Sequence, residues 1–538
     1  MFRMLYSWLA IRKSRALRAG RGWVHGTSKA MALVGGGLLL ILSVGVPSAS
    51  ANPPSRSSAN PLSASNGAVT IQVTGAPLTG IASTGLSLIP SFATGDTDYV
   101  WYCTGVANAI TLSLSSNGSI TANGQTGSVL SIPVTVVANN AVVVVAPSGT
   151  NYWIRCLPPD FPRLTIGGKG NAAAGYYVTG AFATKQTPGY PMVLNQFGTP
   201  VWYVKVPHSA QNTEFLPGTQ TIAWANTPAY YLYSLDTGTV STLAPPIQPF
   251  DGHELYADLL GNHWMISVPA LAGQNLGSRF PGVTTIKDCA IQELAPNGAL
   301  VWQWVASQHI GVSETNKLAG VNVYGGVSEA DIYHCNSIDV DPTNSDHILV
   351  SMRHVGVVLI DKATGNILWK LGGTAAAPMD HEPLLTIQGD PETFILGQHD
   401  ARFQPGGDIS LFDDHTKVSG AARGVEYQVD TATNTAKMVW EYAQPSGKMS
   451  TSMGSVRRYD SNGMAYDQVG SGYAGPIQTV IDWGHGAPWA GFTVLGVAGD
   501  TRLSVQFSGG VATNRAGYVP PSALVLSQLH NLAGAPLP

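Results

Sequence analysis

Histidine recurs in this chain at a fixed offset from a turn. His399 stands eight residues before Gly407 and His253 eight residues before Gly261; each glycine leads into a short apolar run, Ile409 to Phe412 in one copy and Trp264-Met265-Ile266 in the other. A third copy begins at Ser455, eight residues before Gly463. A fourth, at His334, reaches Ile348-Leu349-Val350 through a longer turn holding Asp341-Pro342 and Asn344. Repetition of one structural unit confines a chain to stacked or ring-arranged copies. Copies that set His253, His334, His399 and Ser455 at one equivalent point predict a ring of strands aiming polar groups at a common centre.

A second repeat, a turn followed by aliphatic residues and then tryptophan, ends at Trp202, Trp302, Trp369 and Trp440, with gaps of 100, 67 and 71 residues. The widest gap has room for two short units, so residues 175–538 divide into about six, within the roughly four to eight blades of a propeller. The tryptophans are expected to pack between blades. Composition agrees: 61 Gly, 35 Pro, a charged fraction of 11% and many Thr, Val and Tyr favour strands joined by turns. Between residues 68 and 165, runs such as Val69-Thr70-Ile71-Gln72-Val73 and Val134-Thr135-Val136-Val137 alternate with Gly, Asn and Ser turns, which predicts a small β-sandwich. The expected fold is therefore all-β: a six-bladed β-propeller (175–538) preceded by a small β-sandwich domain (68–165).

The N-terminus reads as an address. Seven Lys and Arg residues precede the apolar segment Met31 to Val46, and Ala49-Ser50-Ala51 offers a small-residue cleavage site. Residues 1–51 are expected to be a signal peptide and 52–67, rich in Ser, Pro, Asn and Ala, a linker. The apolar run is shorter than the ~20 residues of a spanning helix, so no membrane span is expected after cleavage. Cleavage leaves 21 basic against 32 acidic residues, a net charge of −11, which argues against nucleic acid as a partner. Outside the cytosol the four cysteines form disulfides in one of three connectivities. Cys103 and Cys156 both lie in the first third and are expected to pair, leaving Cys289 with Cys335.

Four segments, taken in order, resemble the motifs of the bacterial arylsulfotransferase family: Tyr333-His334-Cys335-Asn336-Ser337, Ser351-Met352-Arg353-His354, Thr364-Gly365-Asn366-Ile367-Leu368-Trp369-Lys370-Leu371-Gly372-Gly373 and Gln398-His399-Asp400-Ala401-Arg402. The resemblance implies a nucleotide-independent sulfotransferase that moves a sulfuryl group from an aryl sulfate donor to a phenolic acceptor through a sulfohistidine, with no cofactor. By motif the nucleophile is His399. His334, His253, Arg353 and Asn336 match positions that hold the sulfuryl oxygens or assist proton transfer; Ser455 joins them through the internal repeat alone, as a substrate-binding residue. One departure is Asp413-Asp414, where the family more often shows Asp-Asn, so an extra negative charge is expected near the site.

The residue types suit the chemistry. Sulfuryl transfer resembles phosphoryl transfer: an in-line transition state carries charge on peripheral oxygens, so positioning and electrostatics dominate. Neutral imidazole is a competent nucleophile near neutral pH, Arg353 and Asn336 can donate hydrogen bonds, and His334 and His253 can shuttle the phenol proton. His334 and Asn336, two apart on an expected strand, would project to one side. Asp400 and Arg402 are expected to pair with each other or fix the loop. The remaining histidines, including His309, His381, His415 and His485, show no metal-ligand spacing. Two alternatives stand beside this reading. Asp361 to Trp369 also looks like the Trp-docking repeat of pyrroloquinoline quinone dehydrogenases, complete in this copy alone, and a non-catalytic propeller scaffold would need none of the histidines.

Overall fold

The computed structural model describes residues 68–183, 188–324, 326–374, 378–486 and 490–537. The expected signal peptide and linker lie outside the described residues. No helix among the described residues is long and apolar enough to cross a membrane.

Strands dominate. Residues 68–157 form two four-stranded sheets around one apolar core. One runs in the order Ala68–Gln72, Ala141–Val145, Asn151–Leu157, Asp98–Tyr102; the other holds Thr74–Gly75, Asn108–Ala122, Leu78–Thr84 and Gln125–Val136. The alternation Leu130, Ile132, Val134, Val136 buries every second side chain of the last strand, as a sheet with one wet face requires. The Cys103–Cys156 disulfide lies in this core, and Cys289 is bonded to Cys335, the expected pairing. Two disulfides are compatible with an oxidising, extracytoplasmic compartment.

Beyond residue 175 the chain builds successive four-stranded antiparallel units. Their end strands are labelled here β1 (Gln211–Leu216), β2 (Phe250–Ala257), β3 (Cys335–Val340), β4 (His399–Phe403), β5 (Ser455–Tyr459) and β6 (Ala516–Val519). Each lies against the next and β6 against β1, which closes a ring. β6 also pairs with Tyr176–Ala183, so the first unit is assembled from sequence more than 300 residues apart and the ring leaves no open edge between start and finish. Tryptophans on the fourth strands fill the gaps between units. Trp202 packs beside Trp224 of the following unit, Trp302 donates its indole N–H to Lys362 O at 3.1 Å, Trp369 packs against Phe403 and Ile409, and Trp440 against Val456.

The C-terminus clasps the N-terminal sheets. Buried Arg155 donates to Asn139 O (2.7 Å), His530 O (2.7 Å) and Ala533 O (3.2 Å), and His530 Nε2 meets Asp98 Oδ1 at 2.6 Å beside helix Leu526–Leu532. Arg163–Gly167, leaving the N-terminal sheets, pairs with the outer strand Thr501–Ser508.

Close packing of the first unit on β1 requires a glycine at 180, where a Cβ would meet the Ala210 carbonyl oxygen and the Thr213 hydroxyl. Gly180→Ala is expected to cost about 1–3 kcal/mol in denaturant unfolding; an unchanged midpoint would contradict this packing.

Candidate active site

Three of the four inner strands whose neighbours carry polar candidates begin irregularly. The pairing register shifts between Asp251 and Leu255 in β2, between Cys335 and Ser337 in β3, and between His399 and Arg402 in β4. Such bulges re-aim side chains that a regular strand would send to alternate faces. Left-handed backbone at His334 (φ 54°) and Asp400 (φ 54°) marks the same places. The result is a cluster of imidazoles: ring centroids lie 5.3 Å apart for His253 and His334, 6.2 Å for His253 and His399, and 4.9 Å for His334 and His354.

His399 is buried, and its Nδ1 sits 2.9 Å from Gly397 O. A carbonyl only accepts, so Nδ1 carries the proton and Nε2 the lone pair. The backbone N–H of Met453 donates to that Nε2 at 3.3 Å. Burial holds the His399 pKa well below the ordinary imidazole value, reinforced by the positive field of Arg353 and by His253 and His334; the Gly397 carbonyl opposes it. A neutral, oriented imidazole results.

His253 and His334 are oriented by carboxylates. Asp251 Oδ1 lies 2.5 Å from His253 Nδ1 and Asp331 Oδ2 lies 2.7 Å from His334 Nδ1, which turns both Nε2 atoms outward from their carboxylates. Burial lowers the His334 pKa against the pull of Asp331. Burial alone would raise Asp331, but His334, Lys287 and His354 bring it down to about 2. Arg353 donates through Nη2 to Thr416 Oγ1 (3.1 Å) and Thr451 O (2.7 Å), while its buried Nε has no hydrogen-bond partner among the described residues. A guanidinium donor without a hydrogen-bond partner, set beside a cluster of imidazoles, is poised for an anionic oxygen.

Two sequence expectations need correction. His334 and Asn336 do not share a strand face: the strand starts at Cys335, and His334 precedes it in left-handed backbone that aims its ring independently. The Asn336 Nδ2 donates to Gln398 O at 2.8 Å, fixing the residue before His399, and its buried Oδ1 has no hydrogen-bond partner among the described residues. The second correction concerns the expected extra charge. Asp414 is buried, with Oδ2 at 3.2 Å from His399 Nδ1 and 3.9 Å from Arg353 Nε. Burial raises its pKa well above the carboxylate range, repulsion from Asp413 adds to this, and Arg353 opposes it. Burial thus pushes Asp414 toward the neutral acid, a planar group of the shape of the asparagine that the family more often has there.

Ser455 differs from the other repeat positions. β5 pairs in regular register, Ser455 against Asp482, and the Ser455 hydroxyl is buried with no hydrogen-bond partner among the described residues. Sequence reasoning missed Asp251, Asp331, His354, Lys287 and Met453. A carboxylate two residues before His253 and another three before His334 was the available signal.

Asp331, His334 and His354 bring three metal-type ligand atoms within 4.8 Å of one another. However, the Nδ1 of His334 already faces Asp331 Oδ2, the Nδ1 of His354 donates to Asp331 O at 2.9 Å, and the cationic groups Arg353 and Lys287 lie alongside. That balance favours an anion over a metal cation.

Beneath the imidazoles lies a charged layer. Asp400 accepts from Arg402 Nε (3.0 Å) and Arg457 Nε (2.8 Å) and from the Val456 N–H (3.2 Å); Glu254 accepts from Arg402 Nη2 (2.7 Å), Arg515 Nη2 (3.0 Å) and the Ile338 N–H (2.9 Å). Burial would raise Asp400, but Arg457, Arg402 and Arg515 hold it far below the carboxylate range.

The raised Asp414 pKa makes a signed prediction. A carboxyl that stays protonated in the fold stabilises it fully below the unfolded pKa of ~3.9, and that contribution is lost as pH rises toward the folded value. Asp414→Asn removes the dependence. Its melting temperature relative to the parent is expected to rise between about pH 4 and about pH 8; a constant difference would mean that Asp414 is ionised in the fold.

The arylsulfotransferase (ASST) family profile matches residues 182–484, more than half of the chain. A search of the curated proteins returned no match. Among solved structures, the WD40 β-propeller domain of Doa1 is similar at 10% identity over 81% of this chain and 97% of its own, with a TM-score of 0.29; U3-55K is similar at 9% identity over 82% and 98%, with a TM-score of 0.31. Likeness at that level carries no argument, and the fold rests on its own strand pairing. With the profile spanning the units that carry His253, His334, Arg353 and His399, the chain belongs to the arylsulfotransferase family.

Proposed function

We propose that this protein is an aryl-sulfate sulfotransferase that works without a nucleotide donor, passing a sulfuryl group from an aryl sulfate to a phenol through a sulfohistidine on His399. The observation that carries the reading is the buried His399 ring, its proton committed to Gly397 O on one nitrogen and the lone pair of the other, Nε2, oriented by the Met453 N–H.

In the first half-reaction, Nε2 of His399 attacks sulfur as the sulfur–aryl oxygen bond breaks. The departing phenolate takes a proton from His334 or His253. Arg353 Nε–H is placed to donate to the sulfuryl oxygens, whose charge grows in the transition state, and the Met453 N–H, which holds Nε2 in the resting site, is released as that nitrogen attacks sulfur. In the second half-reaction the acceptor phenol returns a proton to the same imidazole while its oxygen attacks sulfur and the sulfur–nitrogen bond breaks. Protons and charge balance over the cycle, and no redox partner is involved. Asp251 and Asp331 fix the tautomers of the two shuttling rings. Asn336 positions the Gln398–His399 segment, and Ser455, two residues beyond Met453, is read as a substrate-binding residue through its buried hydroxyl.

The ring of inner strands is read as a six-bladed propeller (175–538) and the two N-terminal sheets as a β-sandwich (68–165), exported after removal of residues 1–51. Family membership favours neither quinone-dependent oxidation nor a scaffold without activity.

The test is release of a chromogenic phenol from an aryl sulfate with and without a phenolic acceptor. Acceptor-stimulated release is expected from the parent, with His399→Ala reduced by at least about 10³-fold. Without acceptor, the parent should gain the mass of one SO₃ group on a peptide containing His399. No release from any aryl sulfate would overturn the proposal.

A further inference from the structure

Lys287 lies outside every motif quoted above, yet it stands against both carboxylates that orient the shuttling imidazoles. Its Nζ is 3.8 Å from Asp251 Oδ2, and its backbone is paired in parallel register with Asp331, which places both side chains on one face of a small sheet. That sheet is an insertion. Ala270–Ala272 and Thr285–Lys287 come from a loop within the third unit, and Gly320–Tyr324 and Val327–Asp331 from the connection between the third and fourth. A cavity of about 360 Å³ runs between it and the imidazole cluster, lined by Lys287, Asn322, Asp331, His334, Arg353 and His354 among others.

The Cys289–Cys335 disulfide fixes the insertion where it matters. Cys289 is two residues beyond Lys287, and Cys335 directly follows His334. The bond therefore ties the segment bearing the ammonium to the segment bearing the imidazole.

Charge accounting gives this placement a consequence. The groups facing the His253–His334 pair are Asp251 beside His253, Asp331 and Lys287 on the insertion, Arg353 and His354 from the fourth unit, and His399 from the fifth; buried Asp414 contacts His399 and Arg353 and not the pair. A bound sulfate monoester neutralises Arg353. Two carboxylates then remain against one ammonium, and a single proton on the imidazole pair completes neutrality. Sulfuryl transfer needs that state, because one proton must leave with the donor phenolate and one vacancy must receive the acceptor's.

We propose that Lys287 is a positioning residue that limits the His253–His334 pair to one proton, held in place by the Cys289–Cys335 disulfide. This rests on the sulfotransferase reading of the site. Without the ammonium His334, held by Asp331, takes up a proton at higher pH, and the base needed by the acceptor disappears. The field of Lys287, which lowers His334 and steadies both carboxylates, acts in that direction.

The test compares the full chain with Lys287→Met, Lys287→Gln and Lys287→Arg, measuring the pH profile of kcat/KM for a phenol acceptor and the imidazole titrations by NMR. The acid-side midpoint is expected to move up by about one pH unit in Lys287→Met and Lys287→Gln, giving a roughly tenfold loss on the acid limb and little loss at alkaline pH. Lys287→Arg should restore most of the parental profile. A loss independent of pH, or imidazole midpoints unmoved in both neutral variants, would overturn the proposal. If the parent turns over no aryl sulfate, the function reading fails by itself, and the NMR titration alone decides whether Lys287 governs the protons of the pair.

Discussion

The buried ion network of Asp400 and Glu254 with Arg402, Arg457 and Arg515 is the constraint on which the site depends. These five side chains come from β2, β4, β5 and the residue directly before β6, and Arg515 and Arg402 reach β3 through Asn336 O (2.9 Å) and Ile338 O (2.6 Å). Burying so many charges is costly unless each is paired and its hydrogen bonds are complete. Here the guanidiniums cross from strand to strand, so satisfying them fixes the strands against one another at the ring's centre. Removing one member would leave a buried partner uncompensated, a change on the order of 3–5 kcal/mol.

The network also explains why the imidazoles face where they do. Glu254 and Asp400 directly follow His253 and His399 in sequence. With the acid committed to the charged layer, the preceding ring must face elsewhere, and the bulges in β2 and β4 let adjacent residues serve two layers. His399 thus gains burial and cationic neighbours together, both of which favour the neutral ring that a nucleophile needs. The two shuttling rings, each on an aspartate, are built for the opposite task of holding a transferable proton.

Much of this was legible in the chain. The equal spacing of His399 from Gly407 and His253 from Gly261 reflects real equivalence, since both residues lie on the inner strand of a unit. The Trp repeats mark fourth strands because an outer strand needs a large apolar side chain against the next unit. Ser455 fits the spacing but not the bulged geometry, and spacing alone cannot see a bulge. The Asp413-Asp414 pair was legible as a departure from the family, but the upward push on the Asp414 pKa was not, because it depends on solvent that the fold removes.

The sequence by itself determined the strand-rich class, the repeated units and the histidines at equivalent points, because period and turn chemistry are local properties, while the disulfide pairing was one expectation among three connectivities until the structure brought the sulfurs together. Only the tertiary structure decided which nitrogen of His399 carries its lone pair, that Asp251 and Asp331 orient the neighbouring rings, and that Lys287 and Arg515 reach the centre from distant segments. Those outcomes depend on distances and burial that exist once the ring has closed through β6, when water is excluded and charges far apart in the chain are brought within a few ångströms.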